Sequence, residues 1–249
     1  MSNYDYDDVV EGRNAVYELL ESGKDINKIY IAKGELKGNT LKKILSKAKE
    51  NKILITEVDR KKLNELSSEG NHQGVIAVVP PYNYVDVDDI LDYANQKNEK
   101  PFVLILDQIE DPHNLGSIIR SAETAGVHGI IIPKRRAASV NATVNKTSAG
   151  AAQHMKIARV NNLTQTINYL KEKGLWIYAA DMDTTKLYYE EDYTSAVGIV
   201  IGSEGRGVSK IVKDNSDVII KIPMKGKITS LNASVSAGII IYEIVKQRG

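Results

Sequence analysis

Residues 107–129 read DQIEDPHNLGSIIRSAETAGVHG and follow an apolar run, FVLIL, at 102–106. An apolar run, a short turn and a helical pattern make the opening unit of a parallel α/β sheet. In dinucleotide-binding sheets the first such turn carries G-x-G-x-x-G, whose glycines let the backbone wrap a pyrophosphate. Here the turn is Asp111-Pro112-His113-Asn114-Leu115-Gly116. Asp111 ahead of Pro112 reads as a helix start: the carboxylate caps the first turn, and proline sits where no backbone donor is needed. The sheet is therefore expected without its phosphate cradle, and a nicotinamide-dependent enzyme loses its main support.

The helix that starts there has two different faces. With Asn114 at zero and about 100° per residue, Leu115, Ile118, Ile119, Ala122 and Ala125 fall between about 20° and 140°. Asn114, Ser117, Arg120, Ser121 and Thr124 fall between about 240° and 360°. A solvent-facing stripe usually carries several Lys and Glu; this one has short polar side chains and a single arginine. Two readings fit the pattern: a helix packed on a polar neighbour, or one that presents Arg120 to a specific anion. A guanidinium suits a bidentate grip on phosphate.

Outward from this unit, strand patterns recur at 129–132, 155–158, 176–180, 198–201 and 218–221. Helical patterns fall at 141–148, 163–173 and 208–213, with a last helix at about 232–247. Such alternation predicts a doubly wound parallel sheet. Ahead of it, 12–21, 40–49 and 61–66 have helical spacing, and 28–31, 53–55 and 74–79 read as strands. Pro80-Pro81 stops regular structure. The acidic stretch 82–100, with a helical pattern at 87–94, reads as a connector. The expected organisation is an N-terminal αβ domain over 1–79, a linker over 80–100 and a parallel-sheet domain over 101–249.

The chain has no cysteine and four histidines, which excludes disulfides and thiolate metal sites and leaves no metal expected. A reducing, cytoplasmic setting fits that composition. The acidic opening MSNYDYDDVVEG lacks the apolar run of a secretory signal, and no apolar run approaches a bilayer span. Net charge is only +1, so nucleic-acid binding has to rest on local clusters. Three are present: Lys134-Arg135-Arg136, Arg60-Lys61-Lys62, and Lys221, Lys225 and Lys227. Each also reads as a solvated face.

Two later segments resemble ligand loops. Gly202-Ser203-Glu204-Gly205-Arg206-Gly207 follows the strand pattern ending at Ile201. Ligands sit at the carboxyl ends of strands in open α/β sheets, although a plain tight turn has the same composition. Ser230-Leu231-Asn232-Ala233-Ser234-Val235-Ser236-Ala237 follows the strand ending near Ile222. Either Ser230 or Asn232 can cap the final helix, and the small residues permit close packing.

In order and spacing, residues 107–129, 201–209 and 222–237 resemble the three sequence motifs of the SpoU (TrmH) family of RNA 2′-O-methyltransferases. The N-terminal part resembles the branch that acts on a guanosine of bacterial 23S rRNA. Val10-Glu11-Gly12-Arg13-Asn14-Ala15-Val16 and His72-Gln73-Gly74-Val75-Ile76-Ala77 carry that likeness, with a departure at Asn14, where many relatives have histidine.

The resemblance implies an α/β fold of the SPOUT type. A C-terminal parallel-sheet domain ends in a deep trefoil knot, an exception to the usual unknotted chain, and a small N-terminal αβ domain binds the RNA substrate. It implies S-adenosylmethionine as methyl donor, a homodimer, and 23S rRNA as partner, within a ribosome assembly intermediate. A tRNA substrate and a catalytically silent RNA-binding protein are the alternatives. Asn114, Arg120, Glu204, Ser230 and Asn232 occupy the catalytic positions, and Ala180, Ile201, Gly202, Ile222, Met224, Leu231 and Ala233 those that wrap the cofactor. In the reaction so implied a ribose oxygen attacks an already activated methyl, which leaves the protein to align the partners and handle one proton. A guanidinium, with a pKa above ~12, is a poor base; phosphate binding is the role expected of Arg120.

Overall fold

The apolar positions picked out above become strand interiors and buried helix faces. The computed structural model describes residues 9–23, 26, 28–34, 38–51, 53–67, 71–79 and 82–249, and structural statements concern these. The acidic opening over 1–8 and the Pro80-Pro81 breaker lie outside the described residues. In chain order the strands are β1 (Val9–Glu11), β2 (Lys28–Ala32), β3 (Ile55–Val58), β4 (Val75–Val78), β5 (Phe102–Asp107), β6 (Gly129–Pro133), β7 (Ile157–Val160), β8 (Trp176–Ala180), β9 (Val197–Gly202) and β10 (Val218–Ile220). The helices are α1 (Arg13–Glu21), α2 (Asn39–Glu50), α3 (Arg60–Leu66), α4 (Val87–Gln96), α5 (Pro112–Thr124), α6 (Ala142–Thr147), α7 (Leu163–Glu172), α8 (Lys210–Asn215) and α9 (Ala233–Arg248).

Two compact units divide these elements: Met1–Asn83 with Ser139–His154, and Tyr84–Ala138 with Met155–Gly249. The first holds a four-stranded sheet in the order β1-β4-β2-β3, antiparallel except between β2 and β3. Alternate residues of a strand face opposite ways, and both faces are used. Val75 and Ala77 lie under α1 and α2 with Val16, Leu19, Leu41 and Ile44, whereas Ile76 and Val78 join Leu63 of α3 and Ala142 of α6.

Three boundaries differ from the sequence reading. Residues 141–148, expected in the second domain, fold into the first unit because Ala142 and Val144 are buried and α6 packs on β1. The stretch 82–100 is more than a connector: Ile90 and Ala94 of α4 are fully buried, and Ile90 belongs to the core of the second unit. Strand β3 begins at Ile55, two residues later than the pattern placed it, with Leu54 left 60% exposed outside it.

The second unit holds six parallel strands in the order β10-β8-β9-β5-β6-β7. One face of the sheet contributes Val103, Ile105, Ile131, Ile177 and Val200 to a core closed by Ile90, Ile167, Leu170 and Val212. The intervening residues Leu104, Leu106 and Ile199 are also fully buried, and α5 and α9 pack against each other with α9 on β9. A sheet buried on both faces explains why its strands read as near-continuous apolar runs. No helix among the described residues is long and apolar enough to cross a membrane.

Helix α5 follows its wheel. Leu115, Ile118, Ile119 and Ala122 are buried, and Arg120 and Thr124 are exposed. The Asp111 carboxylate accepts from the His113 backbone N–H at 3.0 Å, with Pro112 at the first helical position. At the other end of α9, Arg248 locks the helix in place. Its guanidinium donates to the carbonyls of Tyr193, Lys100, Pro101 and Ser195 at 2.9, 2.9, 3.3 and 2.5 Å.

Candidate functional site

Strands β5 and β9 pair over their whole length, ending with Asp107 opposite Gly202, so the loops that follow them leave the sheet side by side. The buried Asp107 carboxylate accepts from the Ser209 N–H at 2.8 Å and fastens the far end of the second loop. Within that loop the Gly207 N–H donates to the Ser203 carbonyl at 2.9 Å, and Gly207 holds a φ of 66°, the left-handed region that favours glycine. Gly202 is constrained by space instead: a Cβ there would lie 2.1 Å from the Gly207 carbonyl carbon. Backbone cannot rotate aside as a side chain can. Gly202→Ala should therefore cost about 2 kcal/mol, the usual scale of overpacking, and lower the midpoint of thermal unfolding; an unchanged midpoint would show that the loop relaxes freely.

This tight turn delivers Glu204 to the first turn of α5 and the start of α9. Asn114 Nδ2 donates to Glu204 Oε1 at 2.8 Å, and Asn232 Nδ2 donates to the same oxygen. Asn232 Nδ2 also donates to Asn114 Oδ1 at 2.9 Å. Three residues separated by 90 and 28 positions thus form one hydrogen-bonded cluster. Of the two candidate caps for α9, the structure selects Asn232, whose Oδ1 accepts from the N–H groups of Ser234 and Val235 at 2.9 and 3.3 Å.

Two cavities flank the cluster. The first, of about 490 Å³, lies where β8, β9 and β10 end, and Ala180, Ile201, Gly202, Ile222, Met224, Leu231 and Ala233 all line it. Ser230 stands in the same wall. The second, of about 300 Å³, is lined by Gln108, Glu110, Asn114 and Arg206 among others. Ser203, Glu204 and Arg206 belong to both walls. Arg120, like Asn232, lines neither cavity, and the hydrogen bonds that join Asn114, Glu204 and Asn232 do not include it.

Sequence reasoning singled out the loop but not Ser203 or Arg206 as wall residues, nor Asp107 as its fastening. Ser203 Oγ is buried and has no hydrogen-bond partner, a feature composition does not disclose. Gln108 holds a left-handed φ of 60° directly after β5, and nothing in its neighbours signals it.

Two family models match the chain. The SpoU rRNA Methylase family matches residues 101–242, and the RNA 2′-O ribose methyltransferase substrate binding model matches residues 9–85. A Bacillus subtilis protein, YacO, named for the TrmH family of tRNA/rRNA methyltransferases, is 46% identical over 97% of this chain and 96% of its own length. A Staphylococcus haemolyticus protein of the same family name is also 46% identical, over 97% and 96%. The SpoU methyltransferase AviRb from Streptomyces viridochromogenes, solved in complex with AdoMet, superposes with a TM-score of 0.80 at 24% identity, covering 96% of this chain and 90% of that one. An A. aeolicus TrmH/SpoU tRNA modifying enzyme, 31% identical, reaches a TM-score of 0.55 over 60% of this chain and 76% of its own. The architecture is the SPOUT fold preceded by a substrate-binding region, and the chain belongs to the SpoU rRNA methylase family.

Proposed function

We propose that the protein transfers a methyl group from S-adenosylmethionine to the ribose 2′-hydroxyl of a guanosine in large-subunit (23S) rRNA. The observation that carries this reading is the meeting of Asn114, Glu204 and Asn232 where two cavities share a wall. Adjoining cavities suit a transfer between two substrates, since each can be held with its reacting atom toward the common wall.

The first cavity fits the methyl donor. Its volume is in the range of small-ligand sites, Ile201, Met224 and Leu231 offer apolar contact, and the buried Ser203 hydroxyl lacks the partner that a polar ligand atom would supply. Bound S-adenosylmethionine supplies a methyl group already activated by its sulfonium charge. The chain's own residues place and hold. Ala180, Gly202, Ile222 and Ala233 present backbone and small or apolar side chains to the donor, with Ser230 beside them. Glu204 Oε1 is taken up by two amides, which fixes the carboxylate and leaves Oε2 to accept from a ribose hydroxyl in the second cavity.

In this reading Arg120 completes the site from a second copy. It is exposed on α5, and Thr124 one turn on lies 3.4 Å from the Tyr242 hydroxyl of α9. Val235 and Tyr242 are 49% and 52% exposed on that helix, a surface that a homodimer would cover. The trefoil knot belongs to the same reading, supported by Ile222 to Leu231 sharing a cavity with the 202–207 loop.

The substrate-binding region favours rRNA over tRNA. The family model that matches residues 101–242 is named for rRNA methylases, and a substrate-binding model covers residues 9–85, whereas the tRNA modifying enzyme aligns over only 60% of this chain. A cytoplasmic ribosome assembly intermediate is then the natural substrate. Calorimetry should register S-adenosylmethionine uptake, and mapping of 2′-O-methylation in a deletion strain should lose one guanosine mark in 23S rRNA. No uptake would leave a silent RNA-binding protein; a lost tRNA mark with unchanged rRNA would move the substrate to tRNA.

A further inference from the structure

All six strands of the second sheet are parallel, so their carboxyl ends share one edge. Reading along that edge, β10, β8 and β9 end at the first cavity, through Ile220, Ala180 and Ile201. β9 and β5 end at the second, through Ser203 and Gln108. The next strand is β6, about 4.8 Å further on, and it runs directly into Lys134, Arg135 and Arg136. The basic run therefore stands beside the second cavity, on the side away from the first.

The backbone of this run is pinned at both ends. The Lys134 N–H donates to the Val160 carbonyl at 2.8 Å, and the Ala138 N–H donates to the carbonyl of Ile109, a wall residue of the second cavity, at 2.8 Å. Arg159 Nη2 donates to the Lys134 carbonyl at 3.2 Å, while its buried Nε meets no acceptor. Between the two anchors Arg136 adopts a left-handed φ of 55°. Some cations of this unit are neutralised by carboxylates, as Lys171 is by Asp217 at 2.7 Å and Lys213 by Asp181 at 3.2 Å. Lys134, Arg135 and Arg136 are exposed, and among the described residues none of them meets one. Three adjacent, unneutralised cations on a fixed loop are an electrostatic arrangement for a polyanion.

We propose that Lys134, Arg135 and Arg136 hold the RNA phosphates next to the target nucleoside, so that the strand crosses the carboxyl edge of the sheet from β5 toward β7. The proposal rests on the methyltransferase reading above and adds to it a second RNA contact, separate from the substrate-binding region. A solvated loop with no ligand is the competing account, and salt dependence separates the two. Each phosphate contact contributes about 0.7–0.9 to the slope of log affinity against log salt.

The test uses the full chain and an unmodified 23S rRNA transcript. Neutralising the loop (Lys134→Gln, Arg135→Gln and Arg136→Gln together) should reduce the salt slope by about 2–3 and raise the KM for RNA about tenfold, with kcat and S-adenosylmethionine affinity unchanged. Arg136→Gly, which keeps a residue suited to the left-handed backbone, should reduce the slope by about 1. A wild-type slope and KM in the triple variant, with donor binding intact, would overturn the loop proposal alone. A wild-type protein that takes up no S-adenosylmethionine would overturn the methyltransferase reading and this proposal with it.

Discussion

Asn232→Ser is expected to leave the fold as stable as before and to lower the rate of methyl transfer about 100-fold, the scale of one charge-assisted and one neutral hydrogen bond lost together. The two ends of this side chain do different things. Oδ1 caps α9 through the N–H groups of Ser234 and Val235, while Nδ2 donates to Glu204 and to Asn114. Serine caps a helix about as well as asparagine, so the first task survives. Its single hydroxyl, already used as an acceptor, cannot also span to both partners, so the Glu204 carboxylate loses a donor and its fixed direction. Asn232→Ala removes both tasks and should in addition cost about 1 kcal/mol of stability, which for a chain of this length lowers Tm by roughly 2–4 °C. Thermal melts together with single-turnover methyl transfer separate the two variants. A serine variant with wild-type turnover would remove Asn232 from the site and leave it a cap.

How much of this was legible in the sequence depends on how local the cause is. The α5 wheel, the Asp111 cap and the strands of the second sheet follow from residues within a few positions of one another, and they stand close to where the pattern puts them. The seven residues assigned to the donor by family resemblance all line one cavity, yet nothing local could have brought Ala180 to Leu231. That depends on strand order, β8 and β10 lying together beside β9, which periodicity does not encode. The same limit hid α6. Its helical spacing was readable, but whether Ala142 buries against β1 or against the second sheet is decided by long-range packing. The segment around α4 was misread for a compositional reason: its acidic positions look like a linker, although Ile90, Leu91 and Ala94 alone suffice to seat it in a core. Left-handed backbone at Gln108 and Arg136 was beyond reach, since neither residue type announces it.

Arg120→Lys should keep measurable turnover, within about tenfold of wild type, while the KM for RNA rises about tenfold, because lysine retains the charge and loses the bidentate grip. Arg120→Ala should lower kcat/KM by about 1,000-fold, the scale of two charge-assisted hydrogen bonds removed together. The reason lies in where the residue stands. It is six positions beyond Asn114, about 9 Å along the helix axis, on the exposed stripe of α5 and outside both cavities. A general base must come within hydrogen-bond reach of its proton, and among the described residues no hydrogen bond joins the Arg120 guanidinium to Glu204 or Asn232. A second copy docked over the Val235 and Tyr242 face of α9 would supply that reach. Mixing Arg120→Ala chains with Asn232→Ser chains then has a distinctive outcome. If each site draws Arg120 from one copy and Asn232 from the other, every mixed dimer has one site with both lesions and one with none, and activity returns. If both residues act within one chain, each site carries one lesion and mixing restores nothing. A lysine variant with RNA affinity intact and chemistry abolished would assign the ribose proton to Arg120 in place of the phosphate.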